Sequence, residues 1–157
     1  MNNLRYRPEM AELVRLLRSL GEKNEEIARL LGVTQEKLLR WQVLHPDFKK
    51  AMAEPAAAEL AELLGGKVAC TRPLVENNTF DAKHQIGLSG RTVKPKLIFT
   101  LGISGAVQFA AGMKSSDCIV AINSDPNAPI FDVAHYCVVG DVNLILPKLI
   151  DKIKGVS

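Results

Sequence analysis

Three short runs, "KLIFTL" (96–101), "DCIVAIN" (117–123) and "HYCVVG" (135–140), are apolar at consecutive rather than alternate positions. A strand with one wet face alternates, whereas a run apolar on both faces needs cover from both sides. Parallel sheets flanked by helices supply that cover, and glycine turns and helical segments separate these runs. The second half of the chain is therefore predicted to be α/β, with "KVAC" (67–70) as a further strand and a last helix over 142–154.

The first half is written differently. Apolar residues recur at helical spacing: Leu13, Val14, Leu16, Leu17 and Leu20, then Ile27, Leu30 and Leu31, then Leu38, Leu39 and Trp41. Gly21 is expected to end the first helix, Asn24 to cap the second, Gly32 to end it and Thr34 to cap the third. A short helix from about Asp47 leads to Pro55, and a further helix runs from Ala56 to Leu64, with Gly65-Gly66 at its end. Pro55 and the alanines after it mark the expected boundary between a domain of residues 1–54 and one of residues 55–157.

"EEIARLLGVTQEKLLRWQ" follows a helix-turn-helix pattern, with Ala28 for close packing and Gly32 for the tight turn. Ile27, Leu31, Val33, Leu38 and Trp41 form the expected core. The second helix of such a unit enters the major groove, so Thr34, Gln35, Glu36, Lys37 and Arg40 are the outward set. Arg40 and Lys37 suit phosphate or guanine. The segment, with "LHPDFKKAM" after it, resembles the helix-turn-helix of phage terminase small subunits and transposase-like proteins. A three-helix packing or dimerisation module has the same pattern. Charge does not decide between them: basic residues outnumber acidic ones by 10 to 8 in residues 1–54 and by 10 to 9 in 55–157. Any interaction with DNA must rest on pattern.

The chain is 47% hydrophobic and 24% charged, a globular composition, and its core must be mostly aliphatic because only 5% is aromatic. No apolar run nears the ~20 residues that span a bilayer, and "MNNLRYRPEM" has no signal-peptide apolar stretch. Cys70, Cys118 and Cys137 are an odd, widely spaced set. They are expected to be buried reduced thiols rather than disulfides or metal ligands, which points to a cytoplasmic protein without a metal.

"KLIFTLGISGAVQFAAGM" (96–113) reads as strand, glycine turn and helix. It lacks both Gly-x-Gly-x-x-Gly and a phosphate-loop lysine. It is not Gly-x-Ser-x-Gly either, since Gly105 follows Ser104 directly, and neither His84 nor His135 has the spacing of a hydrolase base. Both histidines are read as structural. What remains is a helix start whose free N–H groups, from Ser104 to Gln108, suit an electron-rich group.

"TRPLVENN", "HQIGLSGRTVKPKLIFTLGISGAVQFAAGM", "IVAINSDPNAPIFDVAHY" and "VGD" stand in the order and spacing of the FAD-binding domain of electron transfer flavoprotein alpha subunits. From about residue 56 the chain resembles that domain, which implies a Rossmann-like (DHS-like) parallel sheet flanked by helices, preceded here by the small all-α helix-turn-helix. The resemblance implies FAD as cofactor and electron carriage rather than substrate chemistry, so no catalytic residue is expected. It implies a beta-like subunit and flavin dehydrogenases as partners.

The resemblance also implies the contacts. Thr71-Arg72 stands where the family has Ser-Arg, whose guanidinium lies against the isoalloxazine and favours reduced, anionic flavin. In Ile86, Gly87, Leu88 and Ser89, the Ser89 hydroxyl takes the place of one that bonds flavin N5. Ser104, Gly105, Ala106, Val107, Gln108 and Phe109 offer backbone N–H groups and the Gln108 amide. Asn123, Asp141 and Val142 correspond to contacts with the phosphates and adenosine. Taken singly, Arg72 reads equally as a surface residue, Ser89 as a turn former, and Asn123 and Asp141 as caps.

Three departures stand out. Phe109 replaces a histidine that donates to the flavin, and Leu88 replaces a glutamine. The strand and Gly-Gly-Arg-Gly turn that open the family's domain are replaced by "LHPDFKKAMAEPAAAEL". Three functions stay open at this point: a FAD electron-transfer module; a DNA-binding protein whose flavodomain is a sensor or homodimerisation body; and a natural or artificial fusion with neither activity.

Overall fold

The computed structural model describes residues 4–20, 22–76 and 78–156. The chain divides into two compact units, residues 1–65 with 146–157, and residues 66–145.

The first unit contains α1 (Glu9–Ser19), α2 (Asn24–Leu30), α3 (Gln35–Leu44) and α4 (Pro46–Leu63). Val14, Ile27, Leu38 and Phe48 are wholly buried in its core, with Ala28, Leu31 and Trp41 beside them and Val33 packed at the edge. The expected core is thus observed. Gly32 has φ +67, the left-handed conformation that glycine takes without strain. Beyond this turn, Thr34 caps α3, its Oγ1 accepting from the Lys37 N–H at 3.2 Å. Asn24 does not cap α2. It is the first helical residue, and its side chain accepts instead from the Arg18 guanidinium. Gly21 lies outside the described residues.

The two expected helices flanking Pro55 are one helix, α4, with Pro55 inside it. An interior proline forfeits one backbone hydrogen bond and crowds the preceding turn. The alanine-rich sequence around it has the strongest helical preference of any residue type and carries the helix through. Leu13, Leu16 and Leu20 match the apolar period of α1 but are exposed, because Met10, Ala11 and Val14 occupy its buried face.

The second unit is built on β1 (Ile98–Leu101), β2 (Ile119–Asn123) and β3 (Tyr136–Val139), all parallel and ordered β1-β2-β3. Ile98 pairs with Ile119, and Val120 with Tyr136. β1 and β2 are joined by helix α6 (Val107–Met113), and β2 and β3 by a 3-10 turn at Pro129–Asp132. Met113, Ile119, Ala121 and Ile130 are fully buried. A short helix α5 (Arg72–Glu76) precedes the sheet, and α7 (Val142–Val156) follows it. The fold class is α/β with a parallel Rossmann-like sheet and flanking helices, behind a helical N-terminal region.

Three expectations for this unit are corrected. "KVAC" is not a strand: only Cys70 pairs, in a single parallel bridge with Gln85. β3 is not covered on both faces, since Tyr136 and Val139 are 64% and 56% exposed on this edge strand. For the same reason the cysteines are not uniformly buried: all three are free, but Cys137 on β3 is exposed and Cys118 is half-buried. Burial raises the Cys70 thiol above its ordinary pKa.

At the base of the first unit, Tyr6 stacks on His45 at 3.8 Å and meets Trp41 and Phe48 edge-on at 5.7 Å. Its hydroxyl donates to Asp47 Oδ2. Burial, then that hydrogen bond, then the charges of Asp47 and Glu9 raise its pKa above the ordinary 10.0. The folded state therefore holds the phenolic proton more tightly than the unfolded chain. The resulting stability is fully present below pH 10.0 and is lost as pH rises through the folded value. In urea unfolding, the advantage of the wild-type chain over Tyr6→Phe is expected to hold at neutral pH and to shrink above pH 10.0.

Candidate cofactor site

The carboxyl ends of three adjacent parallel strands set this site. β1 runs into Gly102, with φ +66, and then into Gly105, with φ +89. A Cβ on Gly105 would lie 2.3 Å from the Ile130 nitrogen, so backbone packs directly on backbone. The Ile130 N–H donates to the Ser104 carbonyl at 2.8 Å, which locks the turn against the 3-10 segment. Only glycine satisfies both the positive φ and the close approach.

β2 ends at Asn123, which is buried and acts as a latch. Its Nδ2 donates to the Ile103 carbonyl, and its Oδ1 accepts from the Asp125 N–H, both at 2.9 Å. β3 ends at Gly140-Asp141. Asp141 Oδ1 accepts from the Asn143 N–H at 2.8 Å, so this carboxylate opens α7 as a cap. The Val142 side chain lies near Gly102, where an added Cβ would meet it at 3.7 Å. The cap reading of Asp141 thus describes its present bond, whereas Asn123 turns the chain after β2 and caps no helix.

The loop at 86–89 is sewn onto α6. The Leu88 N–H donates to the Gln108 carbonyl at 2.9 Å, and the Val93 N–H to that of Gly112 at 2.8 Å. Gly112 lets the loop sit there: a Cβ on it would lie 2.5 Å from the Gly87 nitrogen. Cys70 and the loop are joined in turn, the Ile86 N–H donating to the Cys70 carbonyl at 2.9 Å. That bridge brings Thr71 and Arg72 next to the loop. Arg72 opens α5 with its guanidinium exposed, its Nε donating to Glu76 Oε1 at 2.7 Å.

All fifteen expected residues therefore lie within one unit, with 104–109, 123 and 141–142 at or just beyond the strand ends and 86–89 bonded to α6. Their side chains differ in what they face. Ser104, Val107 and Gln108 are exposed, as are Ser89 and Leu88, the last by 71%. Ile86 and Phe109 face the core, and the Phe109 N–H already donates to the Ala106 carbonyl. Three neighbours escape sequence reasoning. Gln85 and Asn143 are polar yet buried, at 7% and 3% exposure, and Glu76 pairs with Arg72 one helical turn on. Only the i,i+4 spacing of Arg72 and Glu76 was readable beforehand.

In the first unit, Thr34, Gln35 and Arg40 are exposed, as expected of an outward face, while Lys37 leans over Trp41 with Nζ 5.8 Å from the ring. The same helix also exposes Leu39 and Val43, which mixes apolar surface into that face.

A parallel sheet with a glycine turn, an amide and a carboxylate at successive strand ends belongs to the class of domain that seats ligands at strand termini. Residues 48–114 match the family model of the electron transfer flavoprotein FAD-binding domain. Over 97 residues the chain is 66% identical to the lactate dehydrogenase (NAD(+),ferredoxin) subunit LctC of Acetobacterium woodii, which is 62% of this chain and 23% of that protein. It is 49% identical over 97 residues to protein FixB of Azotobacter vinelandii, covering 62% of this chain and 27% of that one. It is 48% identical over 99 residues to the electron transfer flavoprotein subunit alpha of Clostridium acetobutylicum, covering 63% and 30%. The chain thus spans about a quarter of the length of these curated relatives. The family match begins within α4, in the stretch where the sequence reading expected the family's opening strand to be missing, and that stretch is helical.

Gly105→Ala tests the turn. A Cβ forced into a positive φ and against the Ile130 backbone is expected to cost about 2 kcal/mol or more. The loss should be read as a lowered urea midpoint of the full chain.

Proposed function

We propose that this chain binds FAD through the unit built on β1–β3 and works as an electron-transfer module. The observation that carries the reading is the set of bonds that ties Cys70, just before Thr71-Arg72, to Ile86, Leu88 to Gln108, and Asn123 to Ile103 beside the ends of adjacent parallel strands. The residues fit the group. Ser104 and residues 106–108 are exposed beside the buried Gly105, and the Asn143 amide, buried two residues after Asp141, has no partner for either its nitrogen or its oxygen. Ser104 to Gln108, Asn123, Asp141 and Val142 would hold the cofactor, with Arg72 and Ser89 toward the isoalloxazine. Bound FAD supplies the redox chemistry. The protein orients the ring and sets the charge around it. A cation at Arg72 offsets the negative charge of reduction. Leu88, exposed, and Phe109, turned into the core, offer no side-chain donor where a glutamine and a histidine would, so this site leans more heavily on Arg72 and Ser89.

By similarity to proteins named as subunits, the partners proposed are an electron transfer flavoprotein beta-like subunit and flavin dehydrogenases that deliver electrons. Among the described residues no helix is long and apolar enough to cross a membrane. Three free cysteines accord with the reducing cytoplasm.

We also infer a division of labour between the flavin unit and residues 1–54, a terminase-like helix-turn-helix that binds DNA or pairs two copies of the chain, with α4 running unbroken past residues 54 and 55. The capped α3 after the positive-φ turn at Gly32, with Arg40 and Gln35 exposed, supports this second reading. Its test is salt dependence. Duplex binding that weakens steeply with salt, and weakens again in Arg40→Ala, is expected. Salt-independent or absent binding would remove the DNA reading.

The flavin reading is tested by incubating the full chain with FAD, desalting, and recording the absorption spectrum. A retained, protein-shifted flavin band is expected, with a lower midpoint potential in Arg72→Ala. A colourless protein would sink the proposal, and an unaltered potential would remove the role of Arg72.

A further inference from the structure

We infer that Gln85 is a positioning residue: its buried amide fixes which way the Ser89 hydroxyl donates, and so makes Ser89 a donor toward an acceptor atom on the bound ligand. This rests on the flavin reading above and deepens it.

The geometry is short and specific. Gln85 Nε2 donates to Ser89 Oγ at 2.7 Å. Gln85 is 7% exposed, whereas Ser89 is exposed. The backbone of Gln85 is held from three directions. Its N–H donates to the Ala82 carbonyl at 3.1 Å, its carbonyl accepts from the Arg91 N–H at 2.8 Å, and it forms the bridge with Cys70. Gly90 closes the loop over it, since a Cβ there would lie 2.4 Å from the Gln85 oxygen and 3.0 Å from its Cγ. A four-residue span from Gln85 to Ser89 is thereby rigid at its buried end and open at its hydroxyl end.

A serine hydroxyl has one proton and two acceptor lone pairs, and an amide N–H can only donate. The bond from Gln85 therefore consumes a lone pair of Ser89 and leaves its proton unspent. A hydroxyl with a free choice would divide its time between donating and accepting. Here the donor role is selected before any ligand arrives, which removes part of the ordering cost of binding. The outward-facing proton suits an acceptor nitrogen such as the unprotonated N5 of oxidised flavin.

The test uses the full chain loaded with FAD, comparing wild type with Ser89→Ala, Gln85→Met, the double variant and Gln85→Glu. Ser89→Ala and Gln85→Met are each expected to weaken FAD binding by about 2- to 10-fold, the worth of one net hydrogen bond. The double variant should be no weaker than Ser89→Ala, because Gln85 acts through Ser89. Gln85→Glu keeps the shape but turns the donor into a carboxylate acceptor that captures the Ser89 proton. Its binding should be weak at neutral pH and should recover as the introduced carboxylate is protonated, a profile absent from the wild type. In the FAD-free chain, the Gln85 side-chain amide resonances should move in Ser89→Ala.

Additive losses, a Gln85→Met chain that binds like wild type while Ser89→Ala does not, or a pH-flat Gln85→Glu would each overturn the inference. A wild-type chain that retains no FAD overturns the flavin reading itself and this inference with it. Folding of every variant is read by circular dichroism, and the isosteric Gln85→Glu supplies the test should Gln85→Met fail to fold.

Discussion

The second unit depends on β2 being hydrogen-bonded on both sides. A central strand of only five residues has little ladder of its own, and both its ends are closed by side chains. At the start, His135 grips Ile119: its N–H donates to the Ile119 carbonyl, and its Nδ1 accepts from the Ile119 N–H, both at 2.9 Å. At the finish, Asn123 reaches sideways to Ile103 and receives the Gly140 N–H on its carbonyl at 2.9 Å. The same contacts that end the strand hold the turn after β1 and the start of α7. Stability and site geometry therefore share one set of bonds.

That economy explains what could be read beforehand. Runs apolar at consecutive positions identified β1, β2 and β3; for β2 the run is the one-dimensional trace of burial between layers, whereas β3 carries such a run on an exposed edge. The cap at Thr34 and the turn at Gly32 were legible for the same reason: each depends on a local backbone requirement. Asn24 misled because its carboxamide has a distant rival donor, Arg18, which no local pattern reveals. "KVAC" misled because a strand needs a partner along its length, and its neighbours in space offer only the single residue Gln85. Pro55 misled because helix breaking is a competition, and the alanines on its flanks outweigh one lost bond.

The candidate residues could be named as a set through family order, while their individual bonds were not legible. Asn123 and Asp141 sit at strand ends as expected, yet each already carries structural bonds. The cap reading and the ligand reading are not rivals here. A side chain that terminates a strand is held still by that duty, and a group held still is what a cofactor contact requires. Gln85 was invisible for the opposite reason: a buried polar residue announces itself only through the partner that justifies its burial.

Much of this site is made of backbone, and that decides how it tolerates change. Positive φ at Gly102 and Gly105, and the near contacts of Gly105 with Ile130 and of Gly112 with Gly87, fix where main-chain groups lie. Such a cradle survives substitution of the residues around it, as Leu88 and Phe109 illustrate: one points outward, the other fills the core, and the loop remains pinned to Gln108. What substitution removes is polar tuning, since a leucine and a phenylalanine donate no hydrogen bond. On the flavin reading proposed above, retention of cofactor would fall to the backbone fixed at the strand ends, and control of its potential to exposed polar side chains such as Arg72 and Ser89.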